Sequence, residues 1–284
     1  MEATVGALAA RPEARSEATV YRHSVTTRVS HWLFALAFVV LVMSGLQIFN
    51  AAPYLDASDK SDAHRRVLAI GGEQTPGANP TGVTQIFGLS IRTTHLFGYG
   101  DDGMGAESAR AFPGWMTLPG YQDLASGRRW HLFFAWVMVA CGLAYFAASI
   151  RRKDLALIVL RREDLPKLLP MQLYYLKLRK EPPPHGKYNP LQKAAYTTVL
   201  FVFTPLIVLS GVALAPGIDS IAGPLTAVFG GRQFARLWHF LAMVGLIGFV
   251  LVHVTLVLST DVVNNIRSMI TGRYRLGEHE GTGI

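Results

Sequence analysis

The sequence predicts an all-α membrane protein, a four-transmembrane-helix bundle, and three observations carry that prediction. Half of its 284 residues are apolar and only 16% are charged, against roughly a quarter charged in a typical soluble domain. The apolar residues gather into four runs, about 29–49, 130–150, 194–215 and 237–259, with no acidic residue in any of them. Each run reaches the ~20 residues that a helix needs to cross a ~30 Å hydrocarbon layer. Backbone groups in lipid must be satisfied within the segment, which selects helices, and the alternating pattern of a membrane barrel is absent. This composition excludes a disordered chain, a collagen-like chain and a disulfide-stapled scaffold. The one cysteine, Cys141, lies inside an apolar run, so no intrachain disulfide and no thiolate metal cluster can form.

The first run is too long for the apolar core of a signal peptide and follows nearly thirty more polar residues, so it is expected to stay as an anchor. Orientation follows from the flanking charges. The N-terminal segment carries Arg11, Arg15, Arg22 and Arg28, and the segment 150–190 carries ten basic residues against four acids. The segment 50–127 has five basic residues against eight acids. Positive segments stay on the cytoplasmic side. The expectation is therefore a cytoplasmic tail at 1–28, a bundle at 29–260 and a cytoplasmic tail at 261–284. Within the bundle, 50–127 is periplasmic and 151–190 cytoplasmic. The net charge of +8 then reads as topology and contact with membrane lipid, not as a nucleic-acid surface.

The periplasmic segment is far longer than an ordinary connection. Its Phe112, Trp115, Leu118 and Tyr121, in FPGWMTLPGY, are expected to cover the outer end of the bundle or to meet a partner. Residues around 154–179 mix apolar and basic side chains and suggest an interfacial amphipathic helix. No internal repeat is apparent.

Ionisable side chains at membrane depth are costly, so the histidines there are candidates for function. His31 lies near the inner start of the first run and His131 at the outer start of the second. The fourth run carries His239 near its outer end and His253 near its inner end. Fourteen residues correspond to about 21 Å along a helix, with only ~40° between the two side chains in azimuth. Topology then sets His239 beside His131 and His253 beside His31. Two imidazoles at each of two depths suit two low-spin haems, each held between helices on opposite faces of a planar macrocycle. A zinc or copper site would need more ligands close together. Gly45 and Gly142 fall in azimuths that could leave room for a haem edge or serve ordinary helix packing. Arg28 on the inner side, with Arg128, Arg129 and Arg236 on the outer side, are candidates for haem propionates or for snorkelling flank residues.

These residues resemble the four-helix di-haem cytochrome b subunits that anchor bacterial respiratory enzymes in the inner membrane. The resemblance rests on HSVTTRVSHW with His31, RRWHLFFAW with His131, KYNPLQK at 187–193, and WHF…LVHV with His239 and His253. It implies two haem b groups, an outer one on His131 and His239 and an inner one on His31 and His253. It also implies a quinone at the inner face near Asn189 and Lys187 of the KYN motif, although Asn189 equally suits a helix cap. The long outer segment is similar to the thiosulfate-reductase-like branch, which implies a periplasmic redox enzyme subunit of molybdopterin or hydrogenase-like type as partner. The resulting expectation is an electron-transfer subunit of a quinone-linked complex. The alternative is a stand-alone cytochrome b561-like oxidoreductase that oxidises superoxide or reduces ferric ion.

Overall fold

The computed structural model describes residues 19–276 except Thr75, Asp154, Lys187, Pro216 and 218–222. Its long helices are α1 (Val25–Phe49) and α2 (Leu124–Arg151). Short pieces α3 (Leu155–Ile158) and α4 (Leu168–Tyr175) follow. The next segment joins α5 (Pro190–Thr198), a π-helical stretch Val199–Phe203 and α6 (Thr204–Leu214). Then come α7 (Gly223–Val228), α8 (Arg232–Ser259) and α9 (Val262–Thr271). Four segments are long and apolar enough to cross a membrane: α1, α2, Pro190–Leu214 and α8.

Polar residues set where these helices begin. The side chains of Ser24, Asp123, Asn189 and Asp261 each accept a backbone N–H from the first turn of α1, α2, α5 and α9, replacing partners that a helix start lacks. The π-helical stretch precedes Pro205, whose missing N–H and bulky ring disrupt an ordinary α ladder. The widened turn brings the Phe203 ring onto α8 at Gly245, where a Cβ would collide with it. Helices α1 and α2 pack along each other, and α6 packs along α8, giving two hairpins.

Residues 50–127 depart from the all-α expectation. They hold an antiparallel sheet of β2 (Tyr54–Asp56), β3 (Arg66–Glu73), β4 (Thr81–Ile86) and β5 (Leu89–Arg92), in that order, and a hairpin of β6 (Gly98–Asp101) and β7 (Glu107–Arg110). The strands have three to eight residues, and the longest is diluted by Gly71 and Gly72. Too little alternation survives to signal strand from sequence. The sheet seats on the bundle through a core of Leu46, Phe49, Leu55, Ile70, Ala111 and Phe112, with Leu237 and Phe240 of α8 against it. Asn50 fixes that seat, donating from Nδ2 to the Phe112 carbonyl at 3.0 Å and accepting the Phe112 N–H at 2.8 Å. Of the four FPGWMTLPGY residues, Phe112 is buried, Leu118 is half-buried, and Trp115 and Tyr121 stay exposed.

At the opposite end, β1 (Thr19–Tyr21) pairs with β8 (Arg273–Arg275). Helix α1 starts earlier than expected, and the residues read as a C-terminal tail open with α9. That helix buries Asn264 and Ser268 and exposes Val263, Ile266 and Ile270 on its other face. Arg28 and the Trp32 indole N–H donate to the carbonyls of Ile270 and Met269, tying α1 to α9. The expected single amphipathic helix at 154–179 is instead α3, a 3-10 turn at Arg162–Lys167 and α4. Pro166 and Pro170 explain the break, since neither can donate to a helical ladder.

Candidate functional site

Helix α8 supplies one histidine near each of its ends, and two other helices supply their partners. His131 on α2 and His239 on α8 have ring centroids 6.2 Å apart, toward the sheet end of the bundle. His31 on α1 and His253 on α8 have centroids 6.4 Å apart, toward the end where β1 meets β8. A histidine nitrogen sits about 2.0 Å from a bound metal and about 1.1 Å from its own ring centre. Two imidazoles on opposite sides of one ion would therefore have centroids about 6.2 Å apart. Both pairs match that separation. Among the described residues no group of three or more His, Cys, Asp or Glu side chains is placed to hold a metal ion. The donor set is two nitrogens per tier, which fits a macrocycle that brings its own equatorial ligands.

The sheet-end pair is oriented by polar groups of the neighbouring helices. His131 Nδ1 lies 3.1 Å from the Leu41 carbonyl and 3.1 Å from Ser44 Oγ. A carbonyl only accepts, so Nδ1 carries the proton and Nε2 is left with its lone pair. His239 Nδ1 lies 3.0 Å from Ser210 Oγ, whose own hydrogen goes to the Leu206 carbonyl at 2.5 Å, so this Nδ1 also carries the proton. At the other tier, His31 Nδ1 is buried without a hydrogen-bond partner among the described residues. Such an atom is costly unless something takes it up. Trp32 meets the His31 ring edge-on, and Phe249 stacks on His253.

The glycines serve the imidazoles. A Cβ at Gly45 would sit 3.2 Å from His131 Cε1, and one at Gly211 would sit 3.1 Å from His239 Cε1. Gly45, read in sequence as room for a haem edge or as ordinary helix packing, thus makes room for a histidine ring. Gly142 has only the Phe34 ring near its open side, at 3.9 Å. Sequence reading missed Ser44, Ser210 and Gly211. It also missed a repeat that signals them: Ser-Gly on the first helix of each hairpin, and Arg-x-Trp-His opening the second, at 128–131 and 236–239.

The cationic candidates have different surroundings. Arg236 donates to the Ala52 carbonyl at 2.8 Å and to Gln233 Oε1 at 3.0 Å. Arg129 is exposed and donates to Ser126 Oγ, Arg128 is exposed, and Arg28 is committed to α9. Asn189 caps α5, with Oδ1 accepting the Gln192 N–H at 2.9 Å and Nδ2 donating to the Tyr175 hydroxyl at 3.0 Å. Its neighbour Lys187 lies outside the described residues. Beside this cap, Lys193 Nζ is 3.0 Å from Asp164. Burial pushes the Asp164 carboxyl up, but the Lys193 ammonium and the Arg161 N–H hold it below the usual range.

The sequence pattern of the family described as prokaryotic cytochrome b561 matches residues 22–272. A protein of Azospira oryzae named as a protein-methionine-sulfoxide reductase subunit, YedZ1, is 27% identical, covering 83% of this chain and 89% of its own. One from Bradyrhizobium diazoefficiens, named as a Ni/Fe-hydrogenase B-type cytochrome subunit, is 24% identical over 95% of this chain and 92% of its own. Another with that name, from Azotobacter vinelandii, is 30% identical over 46% of this chain and 59% of its own.

Proposed function

The chain belongs to the prokaryotic cytochrome b561 family, multi-pass haem proteins of the inner membrane that serve electron transport. On that premise we propose that it conducts electrons through two b haems, between a redox enzyme at its periplasmic face and quinone at its cytoplasmic face. The observation that carries this reading is the pair of imidazole separations, 6.2 and 6.4 Å, at two depths of one bundle. A bound haem supplies one-electron chemistry.

This chain's residues supply ligation, orientation and insulation. His131 and His239 hold the outer haem and His31 with His253 the inner one. Arg128 and Arg236 each lie three residues before an outer ligand, about one helical turn nearer the membrane edge. That position suits them, with Arg129, to haem propionates; Arg28, whose Nη1 is taken by the Ile270 carbonyl while its buried Nε has no partner among the described residues, is the corresponding cation at the inner edge. The positive-inside rule puts the β1–β8 end in the cytoplasm and the sheet in the periplasm. Quinone is then expected near the start of α5. There the Tyr175 hydroxyl and the second N–H of the Asn189 amide can reach a quinone oxygen and hold a proton, with Lys187 close in sequence.

The sheet supports the partner half of the reading, because it covers the outer end of the bundle while leaving Trp115 and Tyr121 exposed. Two relatives bear the names of redox-enzyme subunits, which favours a partner of that kind. Counting haem per purified chain tests the ligand assignment. His131→Ala and His253→Ala are each expected to lose one of two haems, and two haems retained in either variant would refute it. Co-purification with an enzyme subunit is expected. A lone chain that turns over quinone with superoxide or ferric ion would refute the partner.

A further inference from the structure

Each outer imidazole is gripped by the preceding helix of its own hairpin, and a serine hydroxyl makes the grip both times. On α1, the Ser44 hydroxyl donates to the Val40 carbonyl at 2.6 Å. Its hydrogen is thereby used, and its lone pairs face His131 Nδ1 at 3.1 Å. The Leu41 carbonyl, also 3.1 Å from that nitrogen, belongs to the residue four before Gly45. The missing Cβ of Gly45 lets the ring come close enough to reach it. On α6 the Ser210 hydroxyl donates to the Leu206 carbonyl at 2.5 Å and faces His239 Nδ1 at 3.0 Å. The Ile207 carbonyl, four before Gly211, lies 3.3 Å from the same hydroxyl. Ser44 and Ser210 are fully buried, and beyond the carbonyls of its own helix each has a histidine Nδ1 as its partner.

We propose that Ser44 and Ser210 are paired positioning residues that set the redox potential of the outer site. Each fixes one imidazole as an Nδ1–H tautomer, leaving Nε2 as the nitrogen that would ligate a haem iron. A shared Nδ1–H makes the ring a stronger electron donor, which favours the ferric over the ferrous state. Both axial ligands of one haem are affected in the same sense. This grip is absent for His31, whose Nδ1 has no hydrogen-bond partner among the described residues, so the two tiers are made electronically unequal by two hydroxyls. The proposal rests on the reading of His131 and His239 as haem ligands.

The test is an anaerobic, spectrally monitored redox titration of the purified full chain and of its Ser44→Ala, Ser210→Ala and double variants. Each single variant is expected to keep both haems and to shift one midpoint potential upward, further in the double variant, with the other midpoint unmoved. Serine to alanine removes only a hydroxyl from each helix, and the Leu41 carbonyl still holds His131, so the helices and haem content should survive. Unmoved potentials in both single variants would overturn the proposal, as would equal shifts of the two haems. His131→Ala separates the two layers of inference. Two haems bound in that variant would refute the ligand reading itself, whereas one haem lost there with unmoved potentials in the serine variants leaves the ligands standing and removes the grip.

Discussion

Replacing Arg110 by Met should release the sheet at 54–110 from the bundle without disturbing the two histidine pairs. Arg110 is 5% exposed at the end of β7. Its Nη1 donates to the Asp102 and Gly120 carbonyls at 2.8 and 2.9 Å. Its Nη2 donates to Thr117 Oγ1 at 3.0 Å and to Gln47 Oε1 of α1 at 3.2 Å. Gln47 in turn donates to the Tyr121 carbonyl at 3.0 Å. Four bonds from a charged donor, at about 1.5–3 kcal/mol each, would sum to about 6–12 kcal/mol. Burying the guanidinium offsets much of that, and breaking a buried charged network typically costs about 3–5 kcal/mol. Met fills most of the volume and leaves no charge, so the lower figure, about 3 kcal/mol, applies. Since 1.4 kcal/mol is tenfold, the loop at 112–121 should open roughly a hundredfold more often. Hydrogen exchange reads this at the Leu118 N–H, which bonds the Met43 carbonyl at 3.2 Å, against amides in the middle of α1. Exchange at Leu118 within about threefold of the parent protein would refute the view that Arg110 couples sheet to bundle.

Gly45→Ala and Gly211→Ala each set a Cβ 3.1–3.2 Å from a ligand ring. Both should weaken retention of one haem by about tenfold or more. Gly248→Ala, whose Cβ meets nothing within 4 Å, should leave haem retention unchanged and raise stability by up to about 1 kcal/mol. The buried Asp56 carboxyl should make the sheet acid-sensitive. Burial raises its pKa, but bonds from Arg66, the Asp62 N–H and Ser61 outweigh this and hold it below its ordinary 3.8. A depressed carboxyl stabilises fully above that ordinary value and loses its contribution as pH falls through the folded one. Thermal melts should thus show the loss only below about pH 4, and Asp56→Asn should be less stable at neutral pH and lack that acid step.

The four spans and the two histidine tiers were legible in the sequence because each rests on a local rule. A span needs only length and apolarity, and the fourteen-residue separation of His239 and His253 fixes depth and azimuth on a single helix. Partners for those two histidines followed once topology ordered the helices. The supports of the imidazoles depended on how the helices are rotated against each other. Ser44 and Ser210 read as ordinary small residues until α1 turns one toward α2 and α6 turns the other toward α8. Gly45, with a haem edge and ordinary packing both open in the sequence, becomes a seat for a histidine ring once the helices are rotated. Asn189 had two readings in sequence, and the Gln192 N–H and Tyr175 hydroxyl engage its amide as a cap.

What the sequence determined by itself is whatever a single helix in lipid obeys: the number of spans, the height of each histidine and the end that gathers positive charge. The tertiary structure alone decided the sheet between the first two spans, the pinning of α9 by Arg28 and Trp32, and the doubled Ser-Gly grip. Each of these depends on groups far apart in the chain, such as Arg110 with Gln47 or His131 with Leu41. Their hydrogen bonds form only after two hairpins and a sheet have been brought into one orientation, and no local periodicity encodes that orientation.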